Sequence, residues 1–134
     1  MSRVLAYLFT LATFGVLDFI WLGLVARGFY QAQIGSLLLA APNWGVAVLF
    51  YAAYIVGVVI FAVVPALDAG SWLRAAILGG LFGFFCYATY DLTNLATLKG
   101  WTVSVALLDI AWGIVVTAAA AAAGYALTRT FGPG

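Results

Sequence analysis

Histidine is absent from this chain, and cysteine occurs once. The first absence removes the commonest metal and haem ligand and the usual general base. A zinc site, a haem site and a His-based catalytic triad are excluded on that ground, and no cofactor or metal is expected. The single cysteine, Cys86, rules out an internal disulfide. It lies inside an apolar run and reads as a buried, unreactive thiol. Charge is scarce as well: Asp, Glu, Lys and Arg make up 7% of the 134 residues, where soluble domains carry about a quarter. The net charge of +1 offers neither a basic patch for nucleic acid nor an acidic tail.

What is plentiful is apolar. Hydrophobic residues account for 67% of the chain, and a small soluble domain leaves too much of its area exposed to bury that share. The solvent for most of this surface is therefore lipid. A membrane-crossing helix needs about 20 mostly apolar residues, and four stretches qualify, at about 4–26, 44–64, 72–98 and 102–127. The first is too long for a signal-peptide core and lacks a small-residue cleavage site, so it reads as a mature span. Pro65 is expected to stop the second span, and the tail from Thr128 to Gly134 to fray. Between spans one and two, Gly28 to Asn43 mixes Gln31, Gln33 and Ser36 with Phe29, Tyr30 and Leu37 to Leu39. It reads as a loop carrying a short interfacial helix. The expected fold is an all-α integral membrane protein, an antiparallel bundle of four transmembrane helices, its whole length one transmembrane domain.

Four spans put both termini on one side, with Arg3, Arg74 and Arg129; Arg27 and Lys99 lie on the other. That bias favours cytoplasmic termini. Trp44, Trp72 and Trp101 stand near span ends, as an aromatic belt requires. Gly79 and Gly83 form a small-xxx-small pair, and Ala118 to Ala123 give span four a smooth flank. Both features permit close helix approach; internal packing is the first reading of the glycine pair and a homodimer face the second.

Of the four acidic residues, Asp68 falls in a turn, while Asp18, Asp91 and Asp109 fall inside spans. A central Asp costs about 2.5–3.5 kcal/mol to insert, and such residues mark functional sites by default. At 1.5 Å per residue, Asp18 lies ~21 Å and Asp91 ~25 Å from the terminus side, and Asp109 ~10 Å from the other. In a core ~30 Å thick all three reach the same half, away from the termini. On span three Tyr87, Asp91 and Asn94 share one helical face, flanked by Tyr90 and Thr97. Asp18 and Trp21 on span one are echoed by Asp109 and Trp112 on span four, within LDFIWLG and LDIAWG. An indole can donate to the carboxylate a turn away, or gate a pocket. Converging carboxylates cannot all be ionised in low dielectric, which suits a proton or cation site. Intramembrane Asp residues can also simply join helices.

The string YATYDLTNLATLKGW at Tyr87–Trp101 resembles the hallmark of a bacterial family of small four-span membrane proteins, domain of unknown function 2177. The Asp18–Trp21–Gly23 cluster, Gly28-Phe29-Tyr30, Pro65 and Asp109–Trp112–Gly113 agree, so the likeness covers essentially the whole chain. It implies the fold and a place in the bacterial inner membrane, and no activity. The family motif positions carried over are Asp18, Trp21, Tyr87, Tyr90, Asp91, Asn94, Thr97, Asp109 and Trp112.

Three functions fit. The leading one is proton- or cation-coupled transport of a small organic substrate, with the carboxylates as the ion site and Tyr87, Tyr90, Trp21 and Trp112 lining the path, in a homodimer. The second is binding or modification of a lipid, quinone or isoprenoid. No nucleophile–base pair is visible, so catalysis there would rest on acid chemistry by Asp91 or Asp109. The third is a structural or accessory subunit. No lysine lies at mid-membrane to hold retinal.

Overall fold

The computed structural model describes residues 2–132. Among the described residues, four helices are long and apolar enough to cross a membrane: α1, Ser2–Val25; α3, Trp44–Ala69; α4, Trp72–Thr97; and α5, Val103–Phe131. A short helix, α2, spans Arg27–Ile34 and runs into a 3-10 turn at Gly35–Leu37. The protein is an all-α, multi-pass membrane protein.

Local chemistry sets the ends of these helices. Asn43, Ser71 and Thr102 each stand in extended backbone and accept from the amide three residues on, at 3.2, 3.1 and 3.1 Å. Each satisfies one of the free N–H groups of a helix start. Gly70 and Gly100 have φ of 66° and 87°, a left-handed backbone that glycine adopts without penalty. They make the α3–α4 and α4–α5 turns possible.

Two expectations need correction. Pro65 does not stop the second span; α3 runs on to Ala69. The turn before it, Val59–Val63, is π-helical, and Pro65 sits in the first α-helical turn after it, where a missing N–H is tolerated. The terminal segment does not fray at Thr128: α5 continues to Phe131, and Pro133 and Gly134 lie outside the described residues. The short helix expected between spans one and two is present, from Arg27 to Ile34, with a 3-10 turn to Leu37.

The tightest contact joins α4 to α5. Gly79 and Gly83 are buried there. A Cβ on Gly79 would stand 2.7 Å from the Ala121 methyl, and one on Gly83 would strike the Gly113 carbonyl and come 2.8 Å from Thr117. Gly113 in turn seats the Tyr87 ring, and Gly124 seats Thr10 of α1. The glycine pair is thus used inside the bundle, where small residues let backbones meet. Ala120 and Ala121 complete that seam, with Phe14, Ile55, Val58 and Val63 fully buried in the same core. Leu8, Phe19, Leu49, Leu107 and Val115 point outward, as lipid-facing residues must.

Helix α3 divides its contacts. Its Val59–Val63 turn packs on α4, while Trp44–Val58 packs against α1. From the Gly70 turn, α3 and α4 therefore separate toward the end of the bundle remote from the termini. Phe82 of α4 closes the apex of this wedge by lying on Gly57, against Tyr54 and Phe61.

Candidate functional site

The wedge holds a cavity of about 950 Å³, at the upper end of the size range of small-molecule sites. Its walls are the first half of α3 (Ala47, Phe50, Tyr51, Tyr54) and the second half of α4 (Phe82, Phe85, Cys86, Tyr87, Tyr90). Asp18 of α1 and Asp109 of α5 stand at the back, and Arg27, Tyr30, Gln31 and Ile34 of α2 cover one side. Cys86 lies half-buried on this wall, not sealed in the core. Trp101 also turns inward: it lines the cavity, with its ring edge-on to Tyr90 at 5.6 Å. Trp44 and Trp72 remain exposed, as belt residues should.

The two Asp-x-x-Trp motifs cross over. Trp112 donates through Nε1 to Asp18 at 3.0 Å, so the indole of span four serves the carboxylate of span one. Trp21 donates to the Tyr30 hydroxyl at 3.3 Å, and Tyr30 donates to Asp109 Oδ1 at 2.8 Å. The indole of span one thus reaches the carboxylate of span four through Tyr30. Between them the two indoles stack, 4.5 Å apart and 7° from parallel. The expected pairing of each indole with the aspartate one turn away does not form, because each indole N–H is taken by a partner on another helix. The carboxylates are met from across the interface instead.

Asp18 accepts a second bond, from the Tyr51 hydroxyl. It is 6% exposed, and Asp91 is wholly buried. Both Asp91 oxygens lack a hydrogen-bond partner among the described residues, as does the Trp101 indole N–H. Asp109 and Trp101 are among its polar neighbours. The three carboxylates therefore gather at one end of the bundle, with Asp91 beside Asp109 and a stacked indole pair linking Asp109 to Asp18.

Of the other expected residues, Tyr87 and Tyr90 line the cavity, and Trp21 and Trp112 stand behind it. Asn94 is half-buried next to Tyr90 and does not line it. Thr97 is exposed and bonds back to the Thr93 carbonyl at 2.8 Å, so it closes the end of α4 and not the site. Sequence reasoning missed Tyr51, Tyr54, Trp101 and the role of Tyr30. Tyr51 and Tyr54 carry the only hydroxyls of an otherwise apolar span, three residues apart, which was the available signal.

A profile of a family described as "Predicted membrane protein (DUF2177)" matches residues 3–126. The chain belongs to this family. No curated protein and no solved structure compared with the chain matches it. Membership in the DUF2177 family fixes the membrane character and carries no activity.

Tyr30 is where the hold on α2 can be tested. Burial, and next the charge of Asp109, push its phenol up from the ordinary value of 10, so it stays a donor across the physiological range. In Tyr30→Phe the hydrogen bond is lost while the ring stays. We expect about 1 kcal/mol less global stability, and faster amide exchange confined to Arg27–Ile34. Unchanged exchange in that segment would show that Tyr30 does not hold α2 down.

Proposed function

We propose that this protein binds a lipid-soluble molecule in the wedge between α3 and α4. One observation supports this reading over transport: the cavity is blind. Below Phe82 and Tyr54 the bundle is filled by Gly79, Gly83, Thr117, Val58 and Phe14, with backbone against backbone. A transport route would have to part that seam, whereas a bound amphiphile needs only the opening that exists. The wall composition agrees, being mostly aromatic and aliphatic with a smaller set of polar groups, as in ligand pockets generally. The carboxylates already accept from Tyr51, Trp112 and Tyr30, which suits a fixed, preorganised head-group end. We place the protein in the bacterial inner membrane, with cytoplasmic termini on the side of Arg3, Arg74 and Arg129.

The test is to fill the cavity. Ala47 is a half-buried wall residue, and Ala47→Trp puts an indole into the space. Lipids extracted with purified wild-type protein should include a species enriched at least about tenfold over the surrounding membrane, equivalent to about 1.4 kcal/mol. That species should vanish from Ala47→Trp while thermal stability holds. Identical lipid profiles from the two proteins would refute binding in this cavity.

A further inference from the structure

We propose that the protein carries a second site, at the end of the bundle opposite the wedge, which binds the phosphodiester head of an anionic phospholipid. The site shares no residue with the wedge, so it stands or falls separately from the binding reading above.

The start of α1 and the ends of α3 and α5 enclose a cavity of about 220 Å³. Ser2 and Arg3 of α1, Leu67 and Asp68 of α3, and Thr128 and Arg129 of α5 line it. That volume is below the range of sites that enclose a whole small molecule. It suits a head group whose chains stay in the bilayer. The position suits one as well. Arg3 and Arg129 stand at the ends of membrane-spanning helices, and basic pockets between such helices take lipid head groups. Val4 and Phe131, close to the arginines in the chain, are exposed and offer acyl chains an apolar flank.

Charge decides the class of ligand. The lining holds two guanidinium groups and one carboxylate, which leaves one positive charge. A phosphodiester carries one negative charge and balances it, whereas a zwitterionic head, neutral as a whole, does not. Each guanidinium can grip two phosphate oxygens at once. The Arg129 guanidinium carbon stands 5.8 Å from the centroid of the Tyr125 ring. Attraction to the ring face uses the charge of the group and not its N–H donors. A cation in the last turn of α5 suits that helix's own dipole without any ligand. Arg3 belongs to α1 and has no such reason to face the same cavity.

Thr128 lines the cavity too. It is 4% exposed, and its hydroxyl has no hydrogen-bond partner among the described residues. A helical threonine can return its hydroxyl to the carbonyl one turn back. Thr130, two residues further along α5, does so to Ala126 at 2.9 Å, and Thr13 of α1 does so to Phe9 at 2.9 Å. Thr128 does not. Buried polar groups ordinarily find partners, and an anion held between the two arginines would give this hydroxyl one.

Full-length protein in non-ionic detergent is offered phosphatidylglycerol and phosphatidylethanolamine of the same acyl chains at equal concentration, and occupancy is read by native mass spectrometry. Wild type should hold phosphatidylglycerol about tenfold over phosphatidylethanolamine. Arg3→Gln and Arg129→Gln should each lower phosphatidylglycerol occupancy about tenfold, and Asp68→Asn should raise it. Arg74→Gln removes an equal charge on the same side but outside the cavity, and should change nothing. Ala47→Trp, which fills the wedge, should change nothing either. A large excess of inorganic phosphate should not displace the lipid. Equal binding of the two lipids by wild type, or Arg74→Gln as harmful as Arg129→Gln, would reduce the site to general surface charge and overturn the inference. Loss of phosphatidylglycerol from Ala47→Trp would place that lipid in the wedge and overturn it as well, leaving the binding reading intact. Displacement by inorganic phosphate would overturn the assignment to a lipid.

Discussion

Gly83→Val should be among the most damaging single substitutions in the chain, lowering stability by more than about 3 kcal/mol. Overpacking of a core ordinarily costs about 1–3 kcal/mol because side chains can shift. Here the obstacle is backbone: the added Cβ meets the Gly113 carbonyl, with Thr117 Cβ 2.8 Å away. Relief requires α4 and α5 to part along the seam that holds the bundle together. Gly80, three residues before Gly83 on the same helix, gives the matched control. Its nearest neighbours would be Ile114 and Ala118 at 3.6 and 3.7 Å, so Gly80→Ala should be neutral or stabilising by up to about 1 kcal/mol. Thermal unfolding in detergent should separate the two variants clearly. Similar midpoints would mean that the helices are not held by backbone contact.

Trp112→Ala should cost about 3 kcal/mol, by loss of packing area and of the bond to Asp18. Trp112→Phe keeps a ring and loses the donor, and should fall between. The stacking itself is measured by a double-mutant cycle with Trp21→Ala. Rings 4.5 Å apart and nearly parallel predict a coupling of about 1 kcal/mol. Additive losses would show that the indoles touch without stabilising one another.

Much of the fold was legible because lipid imposes a coarse rule. Spans of apolar residues separated by Gly70–Ser71 and Gly100 can do little but cross, and the caps Asn43, Ser71 and Thr102 are visible as polar punctuation. Depth arithmetic along the helix axes brought Asp18, Asp91 and Asp109 to one end, since rise per residue is fixed. Rotation and tilt are not so fixed. Which side of α3 faces α4 depends on where Phe82 finds Gly57, a contact between residues with no sequence signal linking them. Hence Tyr51 and Tyr54 went unnoticed while Thr97, on the right face but past the end of the wedge, was included. Pro65 misled for a related reason: the π-helical turn before it shifts the hydrogen-bond ladder so that the ring fits.

The crossing of the two Asp-x-x-Trp motifs bears on how the protein is made. The helix that carries Asp18 leaves the ribosome before the helix that completes its shell, whose indole lies 94 residues downstream. Tyr51 becomes available earlier, with the second long helix. Helix α1 must therefore enter the bilayer before either partner of its carboxylate is made, tolerated by its aliphatic residues. The polar end of the cavity is finished only when α5 arrives, so a chain truncated before it would be inserted yet have no complete site.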